Sequence, residues 1–224
     1  MEILKTFRHE YKYQINYSEM LLLRKKLNEL LTPDRTDEGY IVRSLYFDSH
    51  DDIDYYDKLG GEYIRKKIRL RIYDPNSDKV KLEIKQKTDY HQLKESLIIS
   101  KRDAKQLIKG NYQILLSYDN DLAKRIYTIM QTGCYKPKVI IEYQRIAYIT
   151  STTTRVTFDF NIKKSNKVED FFKKTPNYLL LTSLPDVILE VKFDRFLEPY
   201  ISSILNKYTS RYQSFSKYTT GRNI

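Results

Sequence analysis

The sequence predicts an α+β domain in which about eight antiparallel strands curl into a barrel, with helices packed outside it. Three observations carry this expectation. Long stretches alternate apolar and charged residues with a period of two. Tyr, Ile and Val, which favour strands, are abundant, with 21 Tyr in 224 residues. Turn and cap signals fall between the alternating runs and not inside them.

The elements follow in chain order. Strand-like runs occupy 5–15 and 40–48, and between them Ser18 can cap a helix over 19–31 that carries Leu21, Leu22, Leu27, Leu30 and Leu31, with Pro33 just beyond. Runs 62–74 and 79–88 are joined by Pro75-Asn76-Ser77-Asp78, which reads as a hairpin turn. A run at 93–99 leads into Ser100, which with Asp103 resembles a capping box for a helix ending at Gly110. Asp119 or Asn120 can cap a helix over 121–132 that Gly133 stops. Strand-like runs return at 137–149, 154–162, 177–182 and 186–195, and Pro199 can sit in the first turn of a helix over 199–207. No Pro, Gly or Ser linker interrupts this order, so 1–224 is expected to be a single domain.

Composition excludes several classes. Gly and Pro number 6 each and 41% of residues are hydrophobic, unlike a disordered or collagen-like chain. No apolar run nears the ~18 residues of a membrane span, and the first residues carry charge with no secretory core. One cysteine, Cys134, cannot form an internal disulfide; a cytoplasmic protein is expected, with Cys134 a small buried or half-buried residue. No glycine-rich phosphate loop is present. The formal net charge of +11 points to a polyanionic partner.

The basic residues lie inside the strand-like runs. Arg8, Glu10 and Lys12 share a face, as do Lys67, Arg69 and Arg71; Lys81, Glu83, Lys85 and Lys87; Arg155, Thr157 and Asp159; and Glu190, Lys192 and Asp194. The opposite faces are apolar: Ile68, Leu70, Ile72; Val80, Leu82, Ile84; Val156, Phe158, Phe160; Leu189, Val191, Phe193. Two readings are open. The charged faces meet water over an ordinary core, or they line a lumen whose self-repulsion an anion relieves. A polyphosphate suits the second, since its oxygens match Arg forks and Lys ammoniums. Glu10, Glu83, Glu142 and Glu190 would then neutralise part of the charge or hold Mg²⁺ or Mn²⁺.

Other candidates have plainer explanations. His9 lies opposite Glu10 and reads as packed or solvated, and His50 and His91 are too scattered for a zinc site. Asp48, Asp51, Asp52 and Asp54 read as turn and cap residues before they read as a metal cluster. Arg69 and Arg71 alternate with Ile68, Leu70 and Ile72, not with aromatics, which argues against a nucleic-acid partner.

The segments RHEYK at 8–12, SLYFD at 44–48, IRLR at 68–71, LEIK at 82–85, YQR at 143–145, RVTFD at 155–159, LEVK at 189–192 and SFSKY at 214–218 resemble, in order, those of the triphosphate tunnel metalloenzymes, the CYTH superfamily. The closer resemblance is to the VTC domain, the polyphosphate polymerase domain of the vacuolar transporter chaperone complex and its bacterial relatives. It implies an eight-stranded antiparallel tunnel that takes ATP, triphosphate or polyphosphate with Mn²⁺ or Mg²⁺. It implies phosphate-handling roles for Lys12, Arg69, Arg71, Lys85, Arg145, Lys192 and Lys217, while the charged strand faces are expected to turn Lys12, Arg69, Arg71, Lys85, Arg155, Glu190 and Lys192 towards one cavity. It implies further substrate contacts from Lys87, Lys94, Arg155, Ser216 and Tyr218, and metal ligation by Glu190 and Glu10. Arg8 stands where triphosphatase and cyclase branches carry a first glutamate, which favours the VTC branch, and a polyphosphate polymerase, over a tripolyphosphatase. A non-catalytic polyphosphate-binding module remains an alternative. No SPX domain or membrane segment is legible beside the tunnel motifs, so product transport and inositol-phosphate sensing are not expected of this sequence.

Overall fold

The computed structural model describes residues 9–88, 91–150, 154–181 and 186–222. Arg8, one of the residues read from the sequence, lies outside them. The strands are β1 (His9–Ile15), β2 (Thr32–Pro33), β3 (Tyr40–Asp48), β4 (Ile64–Ile72), β5 (Lys79–Thr88), β6 (His91–Ser100), β7 (Lys136–Ile149), β8 (Arg155–Ser165), β9 (Leu179–Leu180) and β10 (Val187–Phe193). The helices are α1 (Tyr17–Leu30), α2 (Ile53–Gly60), α3 (Lys101–Ile108), α4 (Asp121–Thr132), α5 (Pro199–Leu205) and α6 (Lys217–Arg222), with 3₁₀ turns at Tyr112–Ser117, Val168–Phe172 and Asn206–Arg211.

Hydrogen-bonded neighbours follow the order β1-β10-β8-β7-β3-β4-β5-β6, with β2 on β7 and β9 on β8. Eight strands therefore form the main path, as expected, and the sheet is antiparallel with peripheral helices. The path is open among the described residues, where the sequence reading had a closed barrel. The run at 177–182 shrinks to Leu179–Leu180, both exposed.

The described residues divide into two compact units. The first comprises residues up to 41, 143–162 and 180–216; the second comprises 42–142, 163–179 and 217–222. Each has its own core. In the first, Met20, Leu23 and Leu27 of α1 pack with Tyr13, Val156, Phe158, Leu189 and Val191. In the second, the apolar faces Ile68, Leu70, Ile72 and Val80, Leu82, Ile84 pack with Leu107, Ala123, Ile126 and Met130 of α3 and α4. The predicted apolar faces are thus the cores.

Caps fix the helices. α1 begins two residues earlier than Ser18 implied: Asn16 accepts from the Glu19 amide and Glu19 accepts from the Asn16 amide, a reciprocal box. Ser100 caps α3 by accepting from the Asp103 amide, but the Asp103 carboxylate takes the Tyr118 hydroxyl instead of closing the box. Asn120 caps α4. At its other end Gly133 has φ −85°, and Cys134 takes the left-handed turn at φ +47°, exposed and not buried as expected.

Candidate functional site

The charged faces are partly withdrawn from water, although Lys94 and Ser96 on β6 are exposed. Glu83, Arg71, Thr157, Asp159 and Glu190 are all buried. Register explains what holds them, and each unit has its own cluster.

In the first unit β10 lies between β1 and β8. Its antiparallel register places Glu10 opposite Lys192 and Lys12 opposite Glu190. Two Glu-x-Lys segments running in opposite directions therefore meet acid to base at both positions. Lys12 Nζ lies 2.8 Å from Glu10 and donates to the Phe215 carbonyl at 3.1 Å. The Gln213 amide donates to the Lys12 carbonyl, so the segment carrying Ser216 runs beside β1. Lys192 pairs with Glu190 and lies 3.9 Å from Glu10. Arg145 grips Asp159 with two hydrogen bonds of 2.6 and 2.7 Å and lies 3.9 Å from Glu190. Arg155 donates to Asp34 at 2.6 Å and to the Tyr40 hydroxyl at 3.0 Å. Burial works against the Lys12 ammonium, but Glu190, Glu10 and Asp159 outweigh it and hold its pKa above the ordinary lysine value. Arg145 is half-buried, and Asp159 and then Glu190 outweigh the cost of that burial and hold it firmly charged.

This unit also presents the carboxylates suited to a divalent cation. One ammonium, Lys192, lies within ion-pair distance of both Glu10 and Glu190. Two hard oxygen donors that already share one cation fit Mg²⁺ or Mn²⁺, which take one or two carboxylates and fill the rest of their shell with water and substrate phosphate. Among the described residues no group of three or more His, Cys, Asp or Glu forms a ready-made cage.

In the second unit, rows across β4, β5 and β6 run Arg65–Lys87–Gln92, Lys67–Lys85–Lys94, Arg69–Glu83–Ser96 and Arg71–Lys81–Ile98. These rows put eight cations and one carboxylate on one face. Glu83 is the hub: Arg69 Nε and Lys94 Nζ each lie 2.7 Å from it, and Arg71 lies 3.7 Å away. Burial alone would raise the Glu83 pKa, but Arg69, Arg71 and Lys94 bring it down to about 2. Lys94 is pushed below its ordinary value by burial, with Arg69 and Arg71 adding repulsion against the pull of Glu83. Lys85 has Lys67 on one side and Lys94 on the other, which sets three like charges side by side in one row.

The structure thus separates the sequence-derived residues by unit. Lys12, Arg145, Arg155, Lys192, Ser216, Glu10 and Glu190 belong to the first; Arg69, Arg71, Lys85, Lys87, Lys94, Lys217 and Tyr218 belong to the second. Tyr218 is buried with its hydroxyl donated to Asp48. Asp48 also accepts the amides of Ser49, Asp54 and Tyr55, so it serves α2 as the turn reading expected. Glu142 takes Arg43 at 2.7 Å and the Tyr178 hydroxyl at 2.9 Å, which makes it a structural anchor. Sequence reasoning missed Ser44 and Tyr46, which β3 sets opposite Arg71 and Arg69. Their signal was present in the SLYFD segment. It also missed Asp34, which precedes β3 in an irregular stretch with no pattern to mark it.

An antiparallel sheet with peripheral helices is the fold class of this chain. Solved structures with this fold include a candidate adenylate cyclase from Bacillus halodurans, at 13% identity and TM-score 0.55 over 94% of this chain and 93% of that one. A candidate adenylate cyclase from Vibrio parahaemolyticus matches at 13% identity and TM-score 0.53, over 96% and 97%. A candidate adenylyl cyclase from Hippeastrum, described as having a dominant triphosphatase activity, matches at 14% identity and TM-score 0.56, over 95% and 94%. Within this class the chain belongs to the VTC domain family, whose model matches residues 7–224. No curated protein sequence matches it. Among the described residues no helix is long and apolar enough to cross a membrane.

Proposed function

We propose that this protein is a polyphosphate polymerase that transfers the γ-phosphoryl group of ATP to the end of a polyphosphate chain and releases ADP. The observation that carries this reading is the face of eight cations against one carboxylate on β4, β5 and β6. Such a face is costly by itself and matched by a ligand that is charge throughout and has no apolar part. Membership of the VTC family supports the same reading.

Arg69 and Arg71 offer fork-shaped donors to phosphate oxygens, and Lys85, Lys87 and Lys94 add charge beside them. Lys12, Arg145, Arg155 and Lys192 do the same in the other unit, with the Ser216 hydroxyl as a further phosphate contact, and Lys217 adds charge in the second unit; Tyr218, whose hydroxyl goes to Asp48, is left to packing. The acceptor is a terminal phosphate already ionised, so a terminal oxygen attacks the γ-phosphorus, the bond to the β-phosphate oxygen breaks, and no general base is required. Fixed cations then stabilise charge spread over the equatorial oxygens of a loose transition state. Glu190 and Glu10 would hold Mn²⁺ or Mg²⁺, which when bound supplies Lewis-acid neutralisation of phosphate charge. The partners in this reading are ATP and polyphosphate, not nucleic acid. A cytoplasmic location goes with this reading, since a single thiol forms no internal disulfide.

Incubation of purified protein with ATP and Mn²⁺, followed by gels stained for polyphosphate, tests the assignment. Long stained product and stoichiometric ADP are expected. Release of inorganic phosphate alone would favour a metal-dependent tripolyphosphatase, in which water replaces the phosphate acceptor, as the activity ascribed to the Hippeastrum neighbour suggests. Binding with no turnover would leave a polyphosphate-binding module.

A further inference from the structure

We propose that Tyr46 is a phosphate ligand of the cationic face, taking its bound phosphate together with Arg69. The inference rests on the reading that this face binds phosphate, and it adds a residue that the basic motifs do not mark.

Tyr46 on β3 sits opposite Arg69 on β4. Its hydroxyl accepts from Arg69 Nη1 at 3.1 Å, while Glu83 takes Arg69 Nε at 2.7 Å. The guanidinium is thereby aimed from both neighbouring strands. The Tyr46 ring stacks on Tyr218 at 5.1 Å and 27°, and the residue is only 5% exposed. Among the described residues the Tyr46 hydroxyl accepts this one hydrogen bond and finds no acceptor for its own proton. A buried O–H left without an acceptor is costly, and a phenylalanine would keep the stack without that cost. A phosphate oxygen held by Arg69 supplies the missing acceptor, in a charge-assisted bond.

The surroundings agree. The charged and titratable groups around the phenol are Asp48 on its own strand, Arg69 and Arg71 on β4, Glu83 on β5, and Lys217 and Tyr218 on α6. Burial works to raise the Tyr46 pKa, but Arg69, Arg71 and Lys217 outweigh it and bring it below the ordinary value. The hydroxyl is therefore a stronger donor than a common tyrosine.

Two measurements test this. Calorimetric titration with tripolyphosphate should show Tyr46→Phe binding at least about ten-fold more weakly than the unaltered chain, as expected for a lost hydrogen bond to a charged group. A titration of the unaltered chain followed by its tyrosine ¹³Cζ resonances, which keeps Tyr46 apart from Tyr73, whose phenol Arg71 and Lys81 also favour in the ionised form, should show the Tyr46 phenol ionising early. Tripolyphosphate should push that ionisation to higher pH, because it neutralises the cations that favour the phenolate. The second measurement needs no variant to fold. Equal affinity in Tyr46→Phe, or an early-ionising phenol that tripolyphosphate leaves unchanged, overturns the role of Tyr46 and leaves the anion-binding face standing. Failure of the unaltered chain to bind tripolyphosphate at all overturns both.

Discussion

In the first unit Lys12, Arg145, Arg155 and Lys192 are matched by Glu10, Asp34, Asp159 and Glu190. In the second, the rows of β4, β5 and β6 set eight cations and one carboxylate, Glu83, on one face. Both units carry a Glu-x-Lys strand, so the motif does not decide the balance. Its register partner does. Glu10-Tyr11-Lys12 faces Glu190-Val191-Lys192, and each acid meets a base. Glu83-Ile84-Lys85 faces Lys67-Ile68-Arg69 on one side and Lys94-Glu95-Ser96 on the other, whose Glu95 points to the opposite face. A neutral network is suited to exchanging one of its own cations for a metal. A surplus of positive charge calls for an anion from outside.

The largest effect that sharpens this contrast is expected at Glu190. Glu190→Gln should abolish Mn²⁺-dependent turnover while tripolyphosphate binding in calorimetry persists, because the cationic face is untouched. Unchanged Mn²⁺ activation would place the metal elsewhere. Next, Asp159→Asn removes the buried two-bond partner of the half-buried Arg145 guanidinium. It should cost about 3–5 kcal/mol in urea unfolding at neutral pH, since the uncompensated charge stays inside.

Glu83 makes a pH prediction for the second unit. Its folded pKa of about 2 lies below the ordinary value of 4.5, so the folded state favours the ionised form. The resulting stability, about 3 kcal/mol, is fully present above the unfolded pKa and is lost as pH falls from about 4.5 towards 2. Acid unfolding of Glu83→Gln should lack that drop. The smallest effect is expected at Lys85, between two like charges. Lys85→Gln should raise the stability of the ligand-free chain by about 0.2–1 kcal/mol in thermal unfolding and weaken tripolyphosphate binding. Stability lost together with affinity would show that the row is not strained by its own charge.

Period-two patterning made the faces legible. Ile68, Leu70 and Ile72 were assigned to the core and Lys67, Arg69 and Arg71 to the other face from alternation alone, and both assignments hold. Strands β3 and β5 match their expected bounds residue for residue. Pairing was not legible, because β1 joins β10 across nearly the whole chain and no local signal specifies that partner. Nor was α6: its Lys217–Arg222 segment carries two Thr and a Gly, poor helix formers. Long-range contacts hold it, with Tyr218 bonded to Asp48, Lys164 bonded to the Gly221 carbonyl at 3.2 Å, and Arg222 paired with Asp52. A Cβ at Gly221 would crowd the Cδ1 methyl of Ile141, which would have to turn aside. Within the candidate site, charged side chains on alternating faces were found and uncharged ones were not. Tyr46 looked like one more strand aromatic until register set it against Arg69.

The central claim is that the surplus of positive charge on β4, β5 and β6 exists to hold phosphate. Calorimetric titration of tripolyphosphate into the chain preloaded with a single-stranded RNA oligonucleotide, alongside the Arg69→Ala, Arg71→Ala double variant, tests it most directly. The account predicts that tripolyphosphate displaces the oligonucleotide, and that the double variant loses about 1.5–3 kcal/mol of tripolyphosphate binding for each contact removed. Tight RNA binding that tripolyphosphate fails to displace, or equal tripolyphosphate affinity in the double variant, would contradict it.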